Sequence, residues 1–247
     1  MKVSIITATY NSESTIIDTI QSLQSQTYMD IEYIIVDGLS TDSTIEIIKK
    51  HCTRVSTFII EKDKGIYDAL NKGISAATGD IVGFLHSDDL FASDDSISNL
   101  VSAFEKDSDA IYADLEYVQQ FDTTKVVRLW KSGVFNLSKI NNGWMPPHPT
   151  FYMKTSLYKK HNSFNLNYKI AADYDSLLRY LWVYKIQVSY LPEVLIKMRV
   201  GGASNRSLKN IYQKSLEDIK ALKSNNVPVF KAFIIKNLSK IPQFIFK

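Results

Sequence analysis

The chain has a single cysteine, Cys52, so no internal disulfide can form, which fits a reducing compartment. No stretch approaches the roughly 18 apolar residues that a membrane span needs. The first apolar run, Val3 to Ile6, is too short for the core of a signal peptide and meets polar residues at once. These absences lead to the expectation of a cytoplasmic protein, peripheral on the inner face of a membrane at most. The glycine-rich nucleotide signatures are also missing. No G-x-G-x-x-G follows the first apolar run, which disfavours a dinucleotide fold, and no G-x-x-x-x-G-K-[ST] occurs, which disfavours a P-loop. Any nucleotide here must be held mostly by side chains. The net charge of +3 is too mild and too dispersed for a nucleic-acid binder.

What is present is a 247-residue chain that is 45% hydrophobic, enough for one large domain with a sizeable core. Charged residues make up 22% with both signs mixed, which argues against disorder. The balance changes after Gly202, where nine lysines and arginines face only Glu217 and Asp218.

Apolar periodicity predicts strands at Val3–Thr7, Ile31–Val36, Phe58–Ile60 and Ile81–Leu85. Helices alternate with them: one capped by Asn11 or Ser12, one restarted by Ser40-Thr41-Asp42, one over Ile66–Ala77, and one carrying Ile97, Leu100, Val101 and Phe104. This alternation implies an α/β fold, a Rossmann-like, mostly parallel sheet with helices on both faces. Ligands bind such sheets beyond the carboxyl ends of the strands. The polar clusters lie there: Thr7 to Asn11, Asp37, Glu61 to Lys64, and His86 to Asp89. Farther on, Ile111–Val118 and Val126–Trp130 read as strands, and Trp144 to Pro149 as non-helical because of its prolines. Ala171–Tyr184 reads as a helix, and a lysine-rich helical tail starts at Leu208.

Asp88 and Asp89 follow a strand directly, where carboxylates can bind a hard divalent cation, Mn²⁺ or Mg²⁺, that neutralises a departing diphosphate. The alternative is that Asp88, Asp89, Asp94 and Asp95 only cap the next helix. Asp37 or Asp63 can accept hydrogen bonds from a base or ribose, and Lys64 can meet phosphate, although Asp-Gly and Lys-Gly also mark ordinary turns.

Taken together, Val3 to Asn11, Ile35-Val36-Asp37-Gly38 with Ser40-Thr41-Asp42, Asp63-Lys64-Gly65 with Ala69, Asn71 and Gly73, and Ala77-Thr78-Gly79-Asp80 leading to Ser87-Asp88-Asp89 resemble glycosyltransferase family two. These are inverting enzymes of the GT-A fold, and the likeness extends to those of polysaccharide biosynthesis of the colanic-acid type. The resemblance implies that Thr7, Tyr10, Asn11, Asp37 and Asp63 line the nucleoside pocket. It implies that Lys64, Ser87, Asp88, His148, Arg179 and Arg199 also meet the nucleotide sugar, with Asp88 and Asp89 as metal ligands. It assigns the catalytic base to Asp173 in Ala172-Asp173-Tyr174-Asp175, and places Arg199, with the glycines after it, in a loop closing over the donor. His86 stands where the family commonly has an aspartate, and Ala172 where it has a glutamate. The spacing of Asp175 and Arg179 suits a structural i,i+4 pair, which leaves Asp173 as the better base.

The expected activity is inverting transfer of a sugar, UDP-linked by family frequency, to a saccharide or polyprenyl-linked acceptor in surface polysaccharide biosynthesis. A catalytically impaired binding or scaffold subunit and a nucleotidyltransferase are the alternatives. The expected organisation is a GT-A domain over 1–205, divided at 118 into nucleotide-sugar and acceptor halves, then a helical basic segment over 206–247. From Val227 on, that segment has the composition of an interfacial amphipathic helix. The alternative is a helix packed on its own domain or on a second copy in a homodimer.

Overall fold

A computed structural model describes residues 1–201 and 208–238. The boundary expected at 205–206 and the apolar residues Ile241, Phe244 and Ile245 lie outside them.

The first strand, β1 (Val3–Thr9), is buried along its whole length, as a strand covered on both faces must be. Helix α1 (Ile16–Gln24) leads to β2 (Ile31–Asp37), α2 (Thr44–His51) to β3 (Val55–Ile60), and α3 (Ile66–Ala76) to β4 (Ile81–Phe84). These four strands pair in the order β3-β2-β1-β4, all parallel, so their carboxyl ends share one edge. The start of α1 differs from expectation. Neither Asn11 nor Ser12 caps it by its side chain; the Ser12 carbonyl accepts from Thr15 and Ile16, and the helix begins a turn later.

The second half mixes directions. Strand β5 (Asp89–Phe91) precedes α4 (Ser96–Ala103), and β6 (Ala110–Val118) is joined by hairpin to β7 (Val126–Trp130). Next come β8 (Tyr152–Lys154), α5 (Thr155–Lys160), α6 (Ala172–Leu178) with a wider turn over Arg179–Val183, and β9 (Val188–Arg199). The sheet continues β4-β8-β6-β9-β5, and within it only β6 and β9 pair in parallel among the described residues. Strand β9 is hard to see in the sequence because Pro192 interrupts it. The register against β6 jumps from Leu191 to Val194, so Pro192 sits in a bulge where no ladder donor is needed. Residues His148–Thr150 form one 3₁₀ turn, against the non-helical expectation; proline is tolerated in a first turn, where its missing N–H has no partner to lose.

Helices α7 (Leu208–Ser224) and α8 (Val229–Leu238) return to the domain, burying Ala221, Leu222, Val227 and Ala232 in the same core as α3 and α6. No described helix is long and apolar enough to cross a membrane.

Close packing of α3 on β1 depends on Gly73, where a Cβ would overlap the branched methyl of Ile6. Alanine at this position gains about 1 kcal/mol in helix propensity but overpacks a rigid side chain at a cost of ~1–3 kcal/mol. Because the overlap with Ile6 is severe, the cost belongs at the upper end of that range, and we expect Gly73→Ala to lower stability by about 1–2 kcal/mol net in urea unfolding. An unchanged or raised midpoint would show that β1 and α3 can separate freely.

Candidate active site

At the nucleoside end, Gly38 N–H donates to the Thr9 carbonyl at 2.9 Å, tying the ends of β1 and β2. Asp37 is 0% exposed and accepts three hydrogen bonds, from Ser40 N (2.7 Å), Ser40 Oγ (2.6 Å) and Thr9 Oγ1 (2.7 Å). Its carboxylate is committed to bracing these loops. Thr7 is also buried, with its hydroxyl donating to Leu85 O at 2.7 Å and accepting from Tyr33 at 3.0 Å. Both residues therefore lie beneath the pocket that they were expected to line. Asn11 sits on its rim with φ 50°, its Oδ1 accepting from Thr41 N at 2.9 Å. Tyr10 is 63% exposed; its ring and the Asp63 carboxylate both approach the bare Cα of Gly38, where a Cβ would overlap Asp63 Oδ2. Asp63 Oδ1 accepts from Gly65 N at 2.8 Å, and Oδ2 has no hydrogen-bond partner among the described residues. Lys64 is exposed beside it.

In the middle of the edge, β4 runs into His86-Ser87-Asp88. Ser87 Oγ shares a hydrogen bond of 2.9 Å with Ser12 Oγ. Asp88 is half-buried, and its carbonyl accepts from Arg199 Nη1 at 2.7 Å. Arg199 also donates to Gln120 O at 3.0 Å and pairs with Asp18. At 5% exposure it is an internal brace for the Asp88 corner, where the sequence suggested a clamp on the donor. Asp89 begins a strand, seven residues before α4, so it does not cap that helix. It is wholly buried with neither carboxylate oxygen hydrogen-bonded, and burial together with Asp88 pushes its pKa well above the carboxylate range. No three His, Cys, Asp or Glu side chains cluster as a ready-made cation cage among the described residues. Half-buried Asp88 is the carboxylate that would hold a hard divalent cation here, an oxygen donor of the kind such ions take.

At the far end, Asp173 opens α6. Its Oδ1 accepts from Tyr174 N at 2.8 Å; the single proton of the Tyr67 hydroxyl is shared between Ile170 O at 2.6 Å and Asp173 Oδ1 at 3.2 Å. Burial, then the Asp173 charge, raises the Tyr67 pKa well above normal, so this phenol stays a donor. Asp173 Oδ2 has no partner among the described residues. Asp175 pairs with Arg179 at 2.9 Å, as its spacing suggested. Arg179 also donates to the carbonyls of His161, Asn162 and Ser163, which makes it a staple for that loop. Tyr67 escaped sequence reading, because its partner lies 106 positions away.

Between these groups stand two histidines. The rings of His86 and His148 are 6.1 Å apart; Phe84 stacks on His148 at 5.1 Å and Phe164 meets it edge-on. Nδ1 of His86 and Nε2 of His148 are buried without partners. Burial lowers the pKa of both, that of His148 to about 3 with help from His86, and the charges of Asp88 and Asp173 partly oppose the shift at His86. His86 thus lies within electrostatic reach of both carboxylates.

The His148 shift has a measurable sign. Unfolded histidine takes a proton below about pH 6.5, whereas folded His148 does so only near 3. Stability is therefore lost as pH falls through that window, by up to about 1.4 kcal/mol per pH unit from this residue. We expect His148→Phe to flatten the fall in urea midpoint between pH 7 and 5; parallel slopes for both proteins would contradict a neutral buried His148.

The family model described as glycosyl transferase family 2 matches residues 4–167. A PGL/p-HBAD biosynthesis glycosyltransferase of Mycobacterium bovis is 28% identical over 220 residues, spanning 86% of this chain and 83% of that protein. An uncharacterized glycosyltransferase of Mycobacterium tuberculosis is 31% identical over 182 residues, 72% of this chain and 68% of its own length. Among solved structures, the mannosyltransferase of Pyrobaculum calidifontis in complex with GDP-Man and Mn²⁺ aligns at TM-score 0.70 and 17% identity, covering 98% of this chain and 70% of that one. S. aureus TarS 1–349 in complex with UDP-GlcNAc aligns at TM-score 0.68 and 20% identity, covering 100% and 74%. These likenesses show the GT-A fold, and with the shared sequence blocks they establish that the chain belongs to glycosyl transferase family 2.

Proposed function

We propose that this glycosyltransferase is metal-dependent and inverting, moving a hexosyl unit from a nucleoside-diphosphate sugar, UDP first among candidates, to a hydroxyl of a saccharide or polyprenyl-linked saccharide in surface polysaccharide assembly. One observation carries the reading. His86 feels the charge of both Asp88 and Asp173, so the two carboxylates flank one imidazole, while Tyr10 and Asp63 both approach Gly38 at the end of the neighbouring strand β2.

In this scheme Tyr10 covers the base and Asp63 Oδ2 accepts its N–H. Asp88 would hold Mn²⁺ or Mg²⁺, with Asp89 buried behind it. Such a cation neutralises the charge that develops on the leaving group. Asp173 Oδ2 takes the proton of the acceptor hydroxyl as that oxygen bonds to the anomeric carbon; the bond to the diphosphate breaks on the opposite face, and the configuration inverts. Tyr67 engages Oδ1 and so leaves Oδ2 for the acceptor. The two imidazoles offer neutral hydrogen-bonding nitrogens between these groups, suited to an uncharged sugar. The Mn²⁺ and nucleotide sugars in the neighbouring structures support this choice of ligands.

The test is a panel of UDP-GlcNAc, UDP-glucose and GDP-mannose with Mn²⁺ and oligosaccharide or polyprenyl-diphosphate-sugar acceptors, following nucleoside diphosphate release. We expect chelator to abolish turnover. We expect Asp173→Asn to bind donor normally and to lose transfer by at least about 100-fold, in the range expected of a general base. Metal-independent turnover would sink the cation assignment, and normal transfer by the variant would remove Asp173 from its role.

For the acceptor side, we propose that the outer face of α8 rests on an anionic membrane. Phe230 is 82% exposed and Ile234, one turn on, 38%, with Lys231 exposed between them, whereas Ala232 and Lys236 face the domain. Replacing both Phe230 and Ile234 by serine should reduce sedimentation with phosphatidylglycerol vesicles while leaving the thermal transition in place. Unchanged sedimentation would count against membrane contact.

A further inference from the structure

The basic segment after Gly202 contains only two acids, and both are buried against the domain. Asp218 pairs with Lys236 of α8 at 2.9 Å, and the Lys236 ammonium lies 3.2 Å from the ring centre of Tyr174. Glu217, on α7, is 8% exposed and turns to the chain just ahead of Asp173. Its carboxylate accepts from Lys169 N at 3.1 Å, Ile170 N at 2.8 Å and Ala171 N at 2.9 Å, with Gln213 donating at 3.0 Å. Asn225, at the end of α7, donates to Asp175 Oδ1 at 3.0 Å. The residues flanking Asp173 on both sides are therefore gripped by the C-terminal helices.

We propose that Glu217 is the positioning residue for the catalytic base, fixing where Asp173 stands through the three backbone N–H groups that lead into α6. This inference rests on the reading of Asp173 as base. Three consecutive N–H groups are met by one carboxylate, a charge-assisted arrangement that a neutral side chain cannot reproduce. Burial alone would raise the Glu217 pKa, but the N–H bonds from Ile170 and Ala171 outweigh it and hold the group below the usual carboxylate range. Tyr67 completes the arrangement from α3, because its hydroxyl spans Ile170 O and Asp173 Oδ1. Without the charge on Glu217, residues 169–171 seek water and Asp173 shifts relative to the acceptor oxygen. Displacements of about 1 Å at a reacting group cost on the order of 100-fold in rate. The nucleoside crevice and Asp88 stand on other elements and do not move with it.

The measurement is kcat, acceptor KM and donor affinity for Glu217→Gln, which keeps the shape and removes the charge. The assay is nucleoside diphosphate release from whichever panel nucleotide sugar turns over, starting with UDP-GlcNAc. The expected result is a fall in kcat of about 10- to 100-fold with UDP-GlcNAc affinity within about twofold and the thermal transition retained. A kcat within twofold of the unaltered protein overturns the proposal. So does a loss of kcat, donor affinity and thermal transition together, which would mark Glu217 as a purely structural residue. Asp173→Asn in the same assay separates the two readings: if it transfers normally, the function reading fails, and if it is dead while Glu217→Gln is normal, only the positioning role fails.

Discussion

Strand β1 is hydrogen-bonded in parallel on both sides, to β2 and to β4, and the geometry of the site follows from that double pairing. Parallel neighbours end on the same side, so Thr9, Asp37 and the His86–Asp88 turn emerge together. Packing on both faces fixes the register, since a slip of one residue would move every side chain to the opposite face and lose the fit of Ile6 against Gly73. The polar edge is therefore positioned by a fully buried strand. The Thr9–Asp37–Ser40 hydrogen bonds then convert register into loop shape.

Much of this was legible in the sequence because it is local. The first four strands and their helices show as alternating apolar runs, and the carboxyl-edge clusters follow from the alternation. Asp63, Tyr10, Asp88 and Asp173 stand out from short motifs, and Asp63, Asp88 and Asp173 each keep a carboxylate oxygen without a hydrogen-bond partner among the described residues. Asp37, Thr7, Arg179 and Arg199 were named with them but are consumed by the protein's own carbonyls and hydroxyls. Local pattern identifies a polar residue at a strand end; it does not say whether a second loop will arrive to satisfy it. Tyr67 and Glu217 were missed for the converse reason. Their partners are 106 and 46 positions distant, and nothing near them in the chain marks the contact. Strand β9 was missed because Pro192 hides in a bulge that only the pairing with β6 explains.

The carboxylates divide by burial into separate jobs. Asp37, Asp175 and Glu217 are buried and fully bonded, so they act as struts; Asp89 is buried and unbonded; Asp63, Asp88 and Asp173 retain solvent access. A rank of acids along one edge would repel itself if all were ionised and free. Satisfying some of them internally, with burial raising the Asp89 pKa in the same sense, limits the repulsion along the edge.

Glu217 and Asp218 are adjacent on one helix and point to different neighbours, one toward the entry of α6 and the other toward α8. Helices α7 and α8 are also the last described parts of the chain to leave the ribosome. A nascent chain can thus complete the four parallel strands while the start of α6, with the proposed base, is still unanchored, and domains generally fold from the amino-terminal end during synthesis. Competence to transfer would then be conferred late, by the segment that in sequence looked most like an appendage.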